Sequence, residues 1–143
     1  MNIDGVSEYC VCAGSRNAPL IAALSGVKTF AFVDERSAAF FALGRIKLHG
    51  KPVAVLTTSG TAVAELLPAT IEAYYSGLPL VLVTADRPAR FRGTGAPQCI
   101  EQIGLFGPYA ATSLDAWNRR MPLHLNIEVD ERNAAVPAAG PAA

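Results

Sequence analysis

The sequence has no excess of either charge: 12 Lys and Arg stand against 12 Asp and Glu in 143 residues. Binding to nucleic acid or an anionic membrane surface needs a clustered positive excess, and nothing here supplies one. No apolar run approaches the roughly 18 residues of a membrane-spanning helix. The opening MNIDGVSEYC has no basic stretch ahead of an apolar core, so no secretory signal is read there. Cysteine is scarce. Cys10, Cys12 and Cys99 form an odd set in no metal-ligand spacing, which points to small buried apolar residues in a reducing, cytoplasmic setting. What the chain does have is apolar content, 51% of its residues, enough for the core of one domain.

That content is distributed in two alternating patterns. Short β-rich runs recur at 8–12, 29–33, 53–57, 79–84 and 123–129, and between them lie Ala-rich segments of helical spacing at 35–48 and 61–75 and a shorter segment of helical spacing at 100–106. Runs that are apolar throughout suit strands buried on both faces, as in parallel sheets. Strand–helix–strand repetition predicts right-handed crossover units and an α/β fold: an open, mostly parallel sheet flanked by helices. Asp34 is placed to cap the helix beginning at Glu35, with Gly50 and Pro52 after its end. Ser59 or Thr61 is placed to cap the next helix, Gly77 to follow it, and Pro68 to bend it or divide it in two.

The organisation is one α/β domain over 1–132, followed by a Pro/Ala/Gly-rich linker or tail over 133–143. Few residues precede the first strand, so no helix is expected to lead into it. Near the other end, DAWNRRM is all that joins a strand-like region at 109–113 to the run at 123–129. That is short for a parallel crossover, which needs about a dozen residues or more.

In open parallel sheets ligands bind beyond the carboxyl ends of strands, and the strand exits here are rich in polar residues and glycine. They read Ala13-Gly14-Ser15-Arg16-Asn17, Asp34-Glu35-Arg36, Thr57-Thr58-Ser59-Gly60-Thr61, and Thr84-Ala85-Asp86-Arg87-Pro88 with a glycine-rich loop over 93–98. Each has a purely structural reading as well. Gly14-Ser15-Arg16 also suits a tight turn with a helix cap, and Asp34-Glu35 suits acids at a helix start. Ser59-Gly60-Thr61 suits an anion-binding helix start but lacks the lysine of a phosphate loop. Arg87 suits an ion pair with Asp86. His49 and His124 lack a second ligand nearby in sequence, and Tyr74, Tyr75 and Trp117 read as packing residues.

Taken in order, the motifs CAGSRNAPL, FVDERSAAFFALG, PVAVLTTSGTAVAELLPATIEAYYSGLPLVLVTADRP and QIGLFG resemble the N-terminal, pyrimidine-binding domain of thiamine-diphosphate enzymes. They are most similar to the branch that joins a decarboxylated 2-oxoglutarate unit to isochorismate in menaquinone biosynthesis. The likeness runs from about residue 5 to residue 106 and resumes weakly at LHLNIEV. It implies that Glu35 hydrogen-bonds the N1′ atom of the cofactor's aminopyrimidine and favours the imino tautomer that activates the thiazolium. It further implies that Thr58, Ser59 and Gly60 lie near the pyrimidine. Ser15, Arg16, Arg87 and Gln98 would bind the carboxylates of 2-oxoglutarate and isochorismate, for which arginine forks are suited.

The departures matter equally. Pro97 stands where the family usually has a polar residue, Ala13 stands in place of a proline, and some family helices are missing. No GDG motif with a downstream asparagine occurs in the chain. In the family that motif belongs to a separate domain holding Mg2+ and the cofactor's diphosphate. No metal site is therefore expected here, the isolated chain is expected to be inactive, and a GDG-containing partner domain and a homo-oligomer are implied. Two alternatives stand beside this reading: a non-catalytic binding or assembly domain descended from the family, or part of another thiamine-diphosphate 2-oxo-acid enzyme.

Overall fold

In a computed structural model, which describes Ile3 and residues 5–130, the chain forms a five-stranded sheet in the order β2-β1-β3-β4-β5. The strands are β1 (Glu8–Cys12), β2 (Lys28–Phe32), β3 (Val53–Thr57), β4 (Leu80–Asp86) and β5 (Leu123–Glu128). All pairings are parallel. The helices are α1 (Ala18–Ala22), α2 (Glu35–His49), α3 (Thr61–Ala64) and α4 (Leu67–Tyr75). The expected mostly parallel α/β sheet is the one observed, with strand bounds within two residues of those read from the sequence.

The pleat explains why the strands are apolar throughout. On one face Cys10, Cys12, Val53, Val55, Leu80 and Leu82 pack under α2 and α4. On the other, Tyr9, Val11, Ala54, Leu56, Val81 and Val83 pack with Trp117 and with Leu20 and Ile21 of α1. The buried stripe of α2 is largely alanine, at Ala38, Ala39 and Ala42, which lets its backbone approach the sheet closely. β3 and β4 are buried along their whole length, whereas β2 is an edge strand, largely exposed or half-buried.

The ends of α2 follow local chemistry. The Ser37 amide donates to Asp34 Oδ2 at 2.7 Å, and Gly50 closes the helix at φ 70°, a left-handed conformation that suits glycine. Pro68 does divide the next helical segment: α3 ends before it and α4 starts around it. The cap of α3 is a correction. It is Gly60, with no side-chain cap bond, so neither Ser59 nor Thr61 fills that role.

Further differences concern the connections. The five-residue α1, which carries a proline in its first turn, was not anticipated. Residues 100–106 form turns rather than a helix, because Gly104 adopts φ 78° and the Gln102 side chain is drawn inward. The region 109–113 is not a full strand: Ala111 makes a single parallel bridge to Leu123. The β4–β5 connection is therefore the whole of 87–122, long enough for a crossover, and its regular structure is limited to 3-10 turns at Ala89–Phe91 and Gly107–Tyr109. The proposed tail at 133–143 lies outside the described residues.

Candidate functional site

β1 leads through α1 outward to β2, while β2 leads through α2 back across β1 to β3. Right-handed crossovers of opposite direction place α1 and α2 on opposite faces and leave a crevice where the exits of β1 and β3 diverge. Ser15, Glu35, Ser59 and Arg87 each lie just past the carboxyl end of a strand, so the parallel sheet carries all of them on one edge.

The loops on this edge touch. A Cβ added to Gly14 would lie 2.7 Å from Thr58 Cβ, and one added to Gly60 would lie 2.9 Å from Gln98 Cα. Gly60 also sits at φ 85°, which disfavours any other residue. The exits of β1, β3 and β4 are thus in van der Waals contact through glycine. Asn17, fully buried, folds the first of them: its Nδ2 donates to Cys12 O at 2.9 Å and its Oδ1 accepts from the Gly14 amide at 2.8 Å.

The predicted residues differ in availability. Ser15 and Gln98 are exposed, Glu35 and Arg87 are half-buried, and Thr58, Ser59 and Gly60 are buried. Glu35 opens the first turn of α2, where an acid suits the helix dipole. Burial first, then the charges of Glu35 and Asp34, push the Cys12 thiol up to about 12, which puts Glu35 within electrostatic reach of the end of β1. Arg16 turns inward, 4% exposed, and its Nη1 donates to Val129 O beyond β5 at 2.9 Å. Arg87 does not pair with Asp86. Its Nε donates to Pro97 O at 2.8 Å and its guanidinium lies over Phe91. The partner of Asp86 is Arg92, at 3.0 Å from both Asp86 Oδ2 and Glu128 Oε1.

Behind the loops runs a buried polar chain that sequence reasoning missed. Gln102 Oε1 accepts from the Gly60 amide at 2.8 Å, while its Nε2 donates to Ala85 O and to Asn126 Oδ1. Asn126 Nδ2 donates to Asp86 Oδ2, and the Thr84 hydroxyl donates to Asn126 Oδ1. Because that hydroxyl proton is committed, His124 Nε2, 2.8 Å away, must be the donor to Thr84. Burial pushes the His124 pKa down to about 4, so the ring is neutral. His124 is structural, as is His49, which meets Glu8 at the opposite edge of the sheet. Gln102 opens the QIGLFG motif and Asn126 sits in LHLNIEV, but nothing in either stretch tells that the two amides meet.

A cleft of about 230 Å³ opens beyond β5, lined by Ile103, Gly104, Thr112, His124, Asn126 and Glu128; none of the sequence-predicted residues lines it. Among the described residues no cluster of three or more His, Cys, Asp or Glu is disposed to hold a metal ion, and no helix is long and apolar enough to cross a membrane.

A family model described as "Thiamine pyrophosphate enzyme, N-terminal TPP binding domain" matches residues 1–105. Curated relatives named 2-succinyl-5-enolpyruvyl-6-hydroxy-3-cyclohexene-1-carboxylate synthase are similar to the chain. The Bdellovibrio bacteriovorus protein is 49% identical over 143 aligned residues, which cover 89% of this chain and 27% of the relative. That of Akkermansia muciniphila is 51% identical over 140 residues, covering 87% and 26%. That of Geobacillus thermodenitrificans is 54% identical over 114 residues, covering 78% and 20%. The chain thus spans about a quarter or less of the length of these relatives.

Proposed function

Because the chain belongs to the thiamine pyrophosphate enzymes, through their N-terminal TPP-binding domain, we propose that it forms the pyrimidine-side half of a synthase joining a decarboxylated 2-oxoglutarate unit to isochorismate. The observation that carries this reading is the meeting of three strand exits at the switch point, through Gly14 against Thr58 and Gly60 against Gln98, beside Glu35 at the next exit. The names and identity of the relatives support the choice of reaction.

The residues fit the pyrimidine end of the cofactor. Gly14 and Gly60 let the strand exits close on one another, where a Cβ would meet Thr58 or Gln98, and Thr58, Ser59 and Gly60 would face the pyrimidine with their backbone. When bound, thiamine diphosphate supplies the electron sink that decarboxylation of a 2-oxo acid requires. Glu35 holds the proton at the pyrimidine N1′ nitrogen, a task for which a half-buried carboxyl at a helix start is equipped. Ser15 and Gln98, both exposed, orient substrate carboxylates by hydrogen bonds. Arg87 supplies a charge held in place by Pro97 and Phe91, and Arg16 adds a buried positive charge beneath Ser15. Holding the diphosphate and its Mg2+ falls to a GDG-containing domain beyond this chain, which in a homo-oligomer can come from a neighbouring subunit. The setting we assign is the cytoplasm, in keeping with the free thiols of Cys10, Cys12 and Cys99.

Isothermal titration with thiamine diphosphate and Mg2+ tests the reading, on this chain alone and together with a GDG-containing domain from a relative. The expected result is weak binding alone, and tight binding with product formed from 2-oxoglutarate and isochorismate when the two are combined. No binding and no product in the combined sample would replace this reading with that of an assembly domain.

A further inference from the structure

We propose that Gln102 is a positioning residue: it fixes the Ser59–Gly60 peptide against which the aminopyrimidine rests and ties that peptide to the ends of β4 and β5. The inference rests on the functional reading above but concerns a residue that reading does not use.

Gln102 is fully buried, and its amide is bonded at both ends. Its oxygen faces the Gly60 N–H at 2.8 Å and its nitrogen faces Ala85 O at 3.1 Å and Asn126 Oδ1 at 2.8 Å. A backbone N–H on one side and a backbone carbonyl on the other leave one orientation for the side-chain amide. No other residue type offers an acceptor and two donors at this length without a charge. Gly60 needs such an anchor. It holds φ 85° and ψ −144°, Gln98 leaves no room beside it for a Cβ, and no capping side chain secures the start of α3. The 100–106 segment abandons its helical spacing, and what it delivers by doing so is this side chain. The same amide joins Gly60, on the cofactor side, to the Asn126–Asp86–Arg92 set that flanks Arg87.

The test is Gln102→Met, which keeps length and removes the hydrogen bonds, in this chain combined with a GDG-containing domain. In the cofactor-free protein the Gly60 amide should exchange with solvent about tenfold faster, the equivalent of one lost buried bond. With Mg2+ present, the Kd for thiamine diphosphate should rise by a similar factor of about ten. A Gln102→Met protein that melts earlier yet keeps wild-type Gly60 exchange and wild-type cofactor Kd would overturn the proposal and leave Gln102 a packing residue. If Gln102→Met does not fold, Asn126→Leu, at a half-buried position, carries the test. It loosens Gln102 from one side and should raise both quantities by a smaller factor, about two to five; no change in either would overturn the proposal. Failure of the functional reading is seen separately. Wild-type C2-proton exchange of bound cofactor in Glu35→Gln would end that reading, whereas Gly60 protection needs no cofactor and still decides the role of Gln102.

Discussion

The two edges of the sheet are built from different chemistry. At the amino-terminal edge Glu8 is met by Arg45 through two hydrogen bonds of 2.6 and 2.8 Å, by His49 at 3.2 Å and by Lys28 at 3.6 Å. Those bonds hold the Glu8 carboxyl at about 2 instead of its ordinary 4.5, chiefly through Arg45. At the carboxyl-terminal edge neutral amides, at Asn17, Gln102 and Asn126, and glycine contacts tie the exits of β1, β3, β4 and β5, while the ion pairs, of Arg92 with Asp86 and Glu128 and of Arg90 with Asp130, gather on the β4–β5 side. One edge uses charges and spends them on one another. The other keeps its ion pairs at the ends of β4 and β5 and joins β1 to β3 through uncharged groups, which leaves Glu35 and the exposed Ser15 and Gln98 outside those pairs. Charge is concentrated on one carboxylate at the first edge and set aside from the β1–β3 crevice at the second.

If that contrast holds, variants at the two edges should separate chemistry from folding. The largest effect is expected at Glu35, in a protein with its complementary domain present. Glu35→Gln should slow C2-proton exchange of bound thiamine diphosphate by about 10²–10⁴-fold, read by NMR in deuterated buffer, with little change in unfolding midpoint. At the opposite edge Arg45→Met should do the reverse. Leaving Glu8, whose side chain is 10% exposed, without its main partner should cost about 3 kcal/mol by denaturant unfolding, with C2 exchange unchanged.

Acid should sharpen the comparison further. Glu8 is ionised in the fold well below its unfolded value, so its contribution is complete above about pH 4.5 and is lost as pH falls toward 2. Spread over that range it amounts to about 3 kcal/mol at about 1.4 kcal/mol per unit. His124 behaves differently: neutral in the fold down to about 4, it costs stability as pH falls from 6.5, where the unfolded chain takes up its proton. Stability against pH should therefore fall in two overlapping limbs. His124→Gln should flatten the upper one, between 6.5 and 4, and leave the lower one in place. The smallest effect is expected from Asp34→Ala, which removes the cap of α2 and should cost about 1 kcal/mol; a change in cofactor affinity would show that the cap also sets the position of Glu35.

Much of the frame was legible because its signals are local. β1 and β3 were read to the residue from apolar runs bounded by polar exits, and α2 from Asp34 before it and Gly50 after it. α1 escaped because five residues containing Pro19 are too short to show a period. The segment 100–106 misled because Ile100, Ile103 and Phe106 have helical spacing, while the residue that decides its shape, Gln102, acts on partners at Gly60, Ala85 and Asn126. No window of the sequence contains that relation. The exits that line the crevice could be named beforehand for the same reason the frame could: each follows its own strand. How they are held together could not.

The helix α2 carries Glu35 at its first position and Arg45 and His49 near its last, and it is 15 residues long. At 1.5 Å per residue it is a strut of about 22 Å whose two ends are fastened to opposite edges of the sheet. Substitutions along its exposed side leave that fastening alone, but a change of length does not. Removing one residue between Ala38 and Ile46 turns one end by about 100° relative to the other, so either Glu35 leaves its place at the exit of β2 or Arg45 leaves Glu8. Change here is tolerated in letters and not in count, which makes this stretch a ruler built into the chain.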